Sequence, residues 1–428
     1  MKEGRQTMRT GFVDRERAAG LMAAQGLDAL VVVQPENFLY ATGAGAGFAA
    51  LWRRAGSAIA LIPADPGLAP AAIVTDASLH AFQASAGIAD VRTHPIWTEL
   101  ADLTRVLPSD RPTVEIIREA AAEAGERTDR KRPATYDLSL ALGQLRDTLT
   151  ERNLLQSRLG IEFDFIPHND LEAFRRALPE ASLHDSSEVF RQLRMIKHQD
   201  EIEWLRQGAE LAEAGIRHTV ANFREGMSVF ELSLAYRAGV IEAARQRGLR
   251  QLESSWDLIS CGPQPWGTGT STATLQAGDQ VKFDCGCTLR GYKSDLGRTY
   301  VFKRGDAHKE AIHRALLTAF EAGLEQFRPG NRACDVFRTA QAAMHQQGYD
   351  SYIRGHFGHS IGANIWHEEW PFLSENEAIV LQPNMVFSYE TPYYVDGVGG
   401  FMIEDQIVVT ETGYRVLNTL PREYQVVG

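Results

Sequence analysis

The stretch FDCGCTLRGYKSDLGRTY, residues 283–300, places two aspartates on either side of a turn-like segment, CTLRGY. Apart from that turn, the stretch has the residue pattern of two strands, so it predicts a β-hairpin with Asp284 on one arm and Asp295 on the other. Side chains on facing arms of a hairpin can share one face of the ladder. We therefore expect the two carboxylates to face a common site.

The cysteines of this stretch belong to its other face. Cys285 and Cys287 alternate with Asp284 along the predicted strand, so they point away from it and are expected in the core beneath. Together with Cys261 and Cys334 they form no paired C-x-x-C spacing, which argues against a zinc cluster or a disulfide framework.

Composition limits the class of protein. The length of 428 residues favours two domains, since domains average roughly 150 residues. The hydrophobic fraction of 44% is typical of a soluble globular protein, and no apolar run has the ~18 residues of a membrane helix. A net charge of -11 argues against nucleic acid, so we expect a small-molecule or short-peptide partner and no membrane partner. The N-terminal segment MKEGRQTMRTGFVDRERAAG lacks the apolar core of a secretory signal, which predicts a cytoplasmic protein.

The two halves of the chain have different patterns. In residues 1–185 short apolar runs alternate with helical stretches (LDALVVVQ, GSAIALIPA, AAIVTDA and PTVEIIREAA), which predicts an α/β domain. In residues 186–428 amphipathic helices come first, and helical patterns at 307–327 and 333–347 then separate strands bounded by Gly, Pro and Asn. The second domain is therefore expected to be α+β.

Three further residues in the second half suit a metal site. His359 lies between Gly358 and Gly362 in GHFGHSIG, where glycines let the backbone approach a ligand closely, and Glu390 and Glu404 lie in two more predicted strands. Hard divalent cations prefer carboxylate oxygen and imidazole nitrogen, and a pair of them needs about five such side chains. Any one of the acids could instead be solvated or cap a turn, so only the complete set indicates a metal site.

The order of the motifs identifies a family. FDCG, SDLGRT, GHSIG, ETP and IEDQIVVT resemble, in the same order, the motifs of the creatinase, aminopeptidase P and prolidase family, the pita-bread metalloenzymes. PENFLYATG resembles the signature of that family's N-terminal domain, and RMIKHQDEIEWLR the helix that opens its catalytic domain. The resemblance implies a smaller N-terminal creatinase-type α/β domain followed by a C-terminal pita-bread domain, an α+β chain overall.

The resemblance also implies roles for residues. Glu390 would relay a proton to the leaving amine, and His367, eight residues after His359 where the family usually has a histidine at seven, would face the substrate. His356 is either a further catalytic histidine or an ordinary surface or core histidine. Asp295 and Glu404 would each contact both of two divalent ions, which could be Mn, Fe, Co or Zn. The implied ligands are Asp284, Asp295, His359, Glu390 and Glu404.

Several positions depart from the family pattern. The histidine that peptidase members carry about seventeen residues before the first ligand would fall at Gly267, and an arginine and a threonine are replaced by Met402 and Gly297. The metal ligands are thus retained while the surrounding polar groups differ. Lys282 shares the strand face of Asp284, so it is either a base or substrate-binding cation, or a strand lysine that extends to solvent.

The expected substrate contacts come from both halves. In GFAALWRRAGSA, Arg53 or Arg54 could bind a substrate carboxylate, with Trp52 beside them, because the family's N-terminal domain tends to reach the partner subunit's site in a homodimer. Trp266 and other tryptophans near the motifs could line the site, with core packing as the alternative.

Three classes of function remain open at this point. The first is a dinuclear-metal-dependent hydrolase of a C–N bond in Xaa-Pro dipeptides or peptides. The second is an enzyme for a non-peptide metabolite, either a C–N hydrolase of the creatinase or ectoine-hydrolase kind or a metal-dependent lyase of the dimethylsulfoniopropionate-lyase kind. The third is a binding module without catalysis, which would not need all five ligands.

Overall fold

The computed structural model describes residues 9–47, 49–99, 101–123, 132–266 and 272–428. The chain divides into two compact units, Met1–Leu193 and Arg194–Gly428, where the sequence predicts a division after residue 185. Gly267, the position of the missing histidine, lies outside the described residues.

The N-terminal unit is built around a six-stranded sheet of order β6-β5-β4-β3-β7-β8. Its strands are β1 (Arg9–Thr10), β2 (Val13–Asp14), β3 (Ala29–Val32), β4 (Ile59–Pro63), β5 (Ala71–Thr75), β6 (Asp90–His94), β7 (Arg158–Ile161) and β8 (Ser182–Asp185). Its helices are α1 (Arg15–Gln25), α2 (Pro35–Thr42), α3 (Ala49–Trp52), α4 (Leu79–Gln83), α5 (Thr113–Glu123), α6 (Leu138–Glu151) and α7 (His168–Ala177), with a 3-10 turn at Asp76–Ser78. Helix α8 (Ser187–Met195) contains the point at which the chain divides.

The sheet follows from continuous apolar runs. Strands β3, β4 and β5 are buried at every position, as expected for strands covered on both faces. The sheet is mixed, because β3 pairs parallel with β7 and antiparallel with β4. The first three apolar runs named above form these strands, whereas PTVEIIREAA contributes to helix α5. The predicted α/β class of this half is confirmed.

A buried glutamate holds two elements of this unit together. The Glu162 carboxylate follows β7 and accepts hydrogen bonds from the backbone N–H groups of Val33 and Gln34 and from the Asn37 side chain, at the start of α2. Burial raises the pKa of Glu162 to about 7, although these hydrogen bonds act in the opposite direction. The carboxylate therefore provides acceptors for a helix N-terminus that has no side-chain cap of its own.

The C-terminal unit contains a larger sheet with the path β10-β11-β13-β19-β16-β14-β15, and β9, β12, β20 and β21 pair with its members. Its helices are α9 (Gln199–Ala221), α10 (Val229–Arg247), α11 (Ala307–Leu324) and α12 (Ala333–Gln346). Its strands are β9 (Leu252–Asp257), β10 (Ser260–Cys261), β11 (Gln280–Leu289), β12 (Tyr292–Lys293), β13 (Leu296–Phe302), β14 (His356–Ser360), β15 (Glu369–Ser374), β16 (Val386–Glu390), β17 (Tyr393–Val395), β18 (Gly399–Phe401), β19 (Glu404–Val409), β20 (Tyr414–Val416) and β21 (Gln425–Val427).

Two pairs of helices cover this sheet. Helices α11 and α12 form one core with β14, β15, β16 and β19, and the predicted helical ranges 307–327 and 333–347 are close to their bounds. Helices α9 and α10 form another core with β11 and β13. Helix α10 begins with a capping box, in which Ser228 and Glu231 each bind the other's backbone N–H.

The predicted position of the cysteines is confirmed. Cys285 and Cys287 are fully buried and belong to the core beneath β11, together with Cys261, and all four cysteines are free thiols. Among the described residues, no helix combines the length and apolar character needed to cross a bilayer.

Candidate metal centre

The hairpin predicted from the sequence exists and turns at Arg290 and Gly291. Both residues have positive φ angles, 55° and 78°, which is the backbone of a type I′ turn, and Leu289 pairs with Tyr292 beside it. The flanking arms are β11 and β13, which pair antiparallel with Asp284 opposite Gly297. The turn therefore fixes the register that places Asp284 and Asp295.

Four of the five candidate ligands lie on strands β11, β14, β16 and β19, and Asp295 directly precedes β13. The five form two rows on one face of the sheet. In the first row each residue pairs with the next across β11, β13, β19 and β16, in the order Asp284, Gly297, Glu404 and Glu390. Sheet register alone thus places three carboxylates in one line.

The second row is displaced by two residues and so faces the same side. The backbone N–H of Asp295 donates to the Gln406 side chain at 3.0 Å, Gln406 pairs with Ser388, and Ser388 pairs with His359. One oxygen each of Asp295 and Glu404 and one ring nitrogen of His359 lie within 4.8 Å of one another, a group that could hold a metal ion.

A side chain would not fit at Gly297, in the middle of the first row. A Cβ atom at this position would lie 2.0 Å from Met402 Cγ and 3.1 Å from Glu404 Oε2. The two departures from the family pattern, Gly297 and Met402, are therefore complementary, because the methionine side chain occupies the space that a threonine would need.

The carboxylates crowd each other in a buried site. Burial, followed by the charges of Asp284 and Glu390, raises the pKa of Asp295 well above its usual range. Burial and the charge of Asp295 do the same to the pKa of Glu404. Asp295 Oδ1 and Glu404 Oε2 are buried without a hydrogen-bond partner among the described residues. Buried carboxylate oxygens in this state are expected to bind a cation.

The hydrogen bonding of His359 leaves its Nε2 atom available to bind a metal ion. Its Nδ1 lies 3.0 Å from the Ser360 carbonyl oxygen, so Nδ1 carries the proton and Nε2 presents its lone pair, 3.5 Å from Asp295 Oδ2. Burial lowers the pKa of His359, which keeps the ring neutral. The donor set of carboxylate oxygens and neutral imidazole fits a divalent cation.

Polar residues that the sequence analysis did not single out orient Glu404. The Ser388 hydroxyl lies 2.8 Å from Glu404 Oε1. On the opposite face, Arg298 donates to the carbonyl oxygens of Gly297 and Glu404, both at 2.7 Å, and to Asp405 Oδ1 at 2.6 Å. Ser388 thus fixes the side chain of Glu404, and the buried Arg298–Asp405 pair fixes its backbone.

The two remaining candidate ligands have cationic partners. Lys282 Nζ lies 3.1 Å from Asp284 Oδ2, and an Arg354 guanidinium nitrogen lies 2.6 Å from Glu390 Oε1. Lys282 is 2% exposed, so the expectation of a strand lysine that extends to solvent is wrong. No motif in the sequence indicates Arg354, which lies five residues before His359.

Comparisons with known proteins identify the family. The creatinase/prolidase N-terminal domain model matches residues 15–115 and 106–196, and the model of metallopeptidase family M24 matches residues 203–411. The Bacillus subtilis protein YkvY is 32% identical over 281 residues, which cover 65% of this chain and 76% of YkvY. The chain belongs to metallopeptidase family M24.

Solved structures agree on the fold. Similar structures include an X-Pro aminopeptidase from Thermotoga maritima and an Xaa-Pro dipeptidase from Bacillus anthracis, with TM-scores of 0.71 and 0.75 and identities of 20% and 21%. Each covers 96% of this chain and 99% of the other. An Xaa-Pro dipeptidase from Pyrococcus horikoshii is 26% identical over 268 residues, 62% of this chain and 74% of that protein. The predicted family, the two-domain pita-bread fold and the metal-dependent hydrolysis of a C–N bond are confirmed.

His367 lies at the edge of the carboxylate cluster in the candidate metal centre. Its Nε2 is 3.7 Å from Asp295 Oδ2, and its ring stacks on Trp256 and contacts Trp366, with ring centroids 4.2 and 3.9 Å away. Burial, followed by the neighbouring His359, lowers the pKa of His367 to about 4. The two indoles therefore hold a neutral imidazole beside the site.

His356 and Trp266 also lie near candidate ligands. His356 Nδ1 is 3.5 Å from Glu390 Oε1. Trp266 stacks on Tyr394 at 4.0 Å between ring centroids, and Lys282 Nζ lies 5.4 Å from the centre of the Tyr394 ring. The aromatic pair thus lies next to the Lys282–Asp284 ion pair.

The other candidate substrate-binding residues belong to the N-terminal unit and have partners there. Arg53 forms an ion pair with Glu36 at 2.6 Å, and Arg54 donates two hydrogen bonds to the Asp170 carboxylate at 3.2 and 2.9 Å. Trp52 stacks on Tyr136, with ring centroids 5.3 Å apart. These contacts hold the segment in place within its own unit.

Proposed function

We propose that the protein is an Xaa-Pro peptidase, of the dipeptidase or aminopeptidase kind, that acts with two divalent metal ions. The observation that carries the proposal is the two-row arrangement of Asp284, Asp295, His359, Glu390 and Glu404 on one face of the sheet. The named relatives with this fold, an Xaa-Pro dipeptidase and an X-Pro aminopeptidase, support proline-containing substrates.

The five residues are proposed as the ligands, with Asp295 and Glu404 shared between the two ions. Two divalent ions, when bound, activate water as a nucleophile and polarise a scissile carbonyl. Ser388 keeps Glu404 aimed at the centre, and the Ser360 carbonyl keeps the His359 proton on Nδ1. Manganese, iron, cobalt and zinc all suit this donor set.

Glu390 is proposed to move the proton to the leaving amine. Its carboxylate lies at the end of β16, where Arg354 and His356 approach the same oxygen, Oε1, at 2.6 and 3.5 Å. The arginine donates a charge-assisted hydrogen bond to this oxygen and so orients the carboxylate. His367 remains neutral because of its low pKa and is proposed to donate or accept a hydrogen bond from the substrate.

Substrate contacts and assembly complete the proposal. Trp266 is proposed to form an apolar wall of the site, supported by its exposure of 63% and its stacking on Tyr394. Trp52, Arg53 and Arg54 are proposed to reach the site of a second copy in a homodimer, as the sequence analysis predicts. A cytoplasmic location is part of the same proposal, as is a domain division close to residue 185.

The test is hydrolysis of a panel of Xaa-Pro dipeptides and Xaa-Pro-containing peptides by manganese-loaded protein. We expect proline release that Glu390→Gln reduces at least about a hundredfold, the usual contribution of a general acid–base. Glu242→Gln, which alters an exposed ion pair on α10, serves as the control. Absence of turnover across the panel by metal-loaded protein would refute the proline specificity.

A further inference from the structure

The ammonium group of Lys282 is built into the carboxylate cluster. The side chain is 2% exposed, and its Nζ lies 3.1 Å from Asp284 Oδ2 and 5.4 Å from the Tyr394 ring centre. Gly400 leaves room for the aliphatic stem, since a Cβ atom there would lie 3.2 Å from Lys282 Cδ and 2.6 Å from the Pro265 carbonyl oxygen. A lysine confined in this way holds its ammonium group at the Asp284 end of the centre.

The charges of the centre are unequal at its two ends. Asp295 and Glu404 present buried oxygens without hydrogen-bond partners among the described residues, and His359 lies beside them. Asp284, in contrast, already has the Lys282 ammonium on one oxygen. A cation bound by Asp295, Glu404 and His359 contacts only carboxylate oxygens and the lone pair of the imidazole. A cation that binds Asp284 must instead displace or approach the positively charged ammonium group of Lys282.

The total charge of the centre also disfavours a second divalent ion. When metal binding has ionised all four candidate carboxylates, Lys282 and Arg354 offset two of them, and the two remaining negative charges are neutralised by a single divalent ion. A second divalent ion makes the centre positive. Like charges a few ångströms apart in a buried site repel strongly, so the second ion is the one that the lysine disfavours.

We propose that Lys282 is a resident cation that weakens the binding of the second divalent ion at the Asp284 end, so that the centre fills in two unequal steps. The proposal rests on the dinuclear centre of the proposed function, but not on proline specificity. Lys282 acts here through Asp284, as a positioning residue.

The experiment is a calorimetric titration of metal-free protein with Mn²⁺, with the metal content counted by elemental analysis after desalting. We expect two steps in the wild-type protein. Lys282→Met should strengthen the second step by about tenfold or more, equivalent to about 1.4 kcal/mol, and leave the first step within about threefold. Lys303→Met is the matched control, because Lys303 forms an ion pair of the same length, 3.1 Å, with Glu225 on an exposed surface.

Three results would overturn the proposal. They are a second step that is unchanged or weaker in Lys282→Met, two equal steps in the wild-type protein, and a single metal equivalent in both proteins. Thermal unfolding of each variant shows whether it folds, and Lys282→Gln provides a second neutral side chain if the methionine variant does not. Because no substrate is present, a protein that binds metal as expected and cleaves no Xaa-Pro peptide would refute only the proposed function.

Discussion

The buried ion pair behind the metal centre should make a large contribution to stability. Arg298 and Asp405 are 3% and 0% exposed, and besides the carboxylate Arg298 contacts the carbonyl oxygens of Gly297 and Glu404. Arg422 also donates to Asp405. Asp405→Asn keeps the size of the side chain but leaves two arginines without their common anion. Breaking a buried pair in this way costs about 3–5 kcal/mol.

The assay is equilibrium unfolding in urea of the metal-free protein. We expect the free energy of unfolding of Asp405→Asn to fall by about 3–5 kcal/mol, whereas Glu242→Gln, which breaks an exposed pair with Arg245, changes it by less than about 1 kcal/mol. Mn²⁺ affinity should fall as well, because Arg298 holds the backbone of Glu404. A loss below about 1 kcal/mol would show that the pair is not important for stability.

Three further predictions follow from the fold and the centre. Gly297→Ala should lower the free energy of unfolding by about 1–3 kcal/mol, because its Cβ would meet Met402, and adding Met402→Ala should recover part of the loss in urea unfolding; no recovery would contradict the steric account. The pKa of Glu162 is about 7 in the folded protein and about 4.3 in an unfolded chain, so the folded state binds the proton more tightly and the stability of the N-terminal unit should fall as pH rises from about 5 to about 7. Glu162→Gln should remove that slope, worth about 2 kcal/mol over this range, and an unchanged slope in unfolding measured across this range would count against it. Because the pKa of Asp295 is raised, Mn²⁺ binding should release protons, increasingly so at lower pH; a heat of binding that is independent of buffer ionisation would disagree.

The candidate ligands could be predicted because their positions depend on short-range rules. Alternation along β11 places Asp284 on one face and the cysteines on the other, and the Arg290-Gly291 turn sets where Asp295 falls on the returning arm. The order of the motifs then identified the family. Neither step needed the order of strands in the sheet.

The cations and hydroxyls around the ligands could not be predicted, because they depend on that order. Ser388 reaches Glu404 only because β16 and β19 are neighbours, and Arg354 reaches Glu390 from a loop that precedes a different strand. Lys282 was identified as a neighbour of Asp284, but its burial depends on Gly400 from a distant strand.

The alternation of acid and thiol along β11 makes the chemical hardness of the site depend on strand register. A slip of one residue would turn Cys285 outward in place of Asp284, and a soft thiolate donor would then favour zinc or cadmium over manganese. Pairing of β11 with β9, β10 and β13 opposes such a slip on both edges. The hydrogen bonds of this strand therefore help decide which metal ions the site can bind.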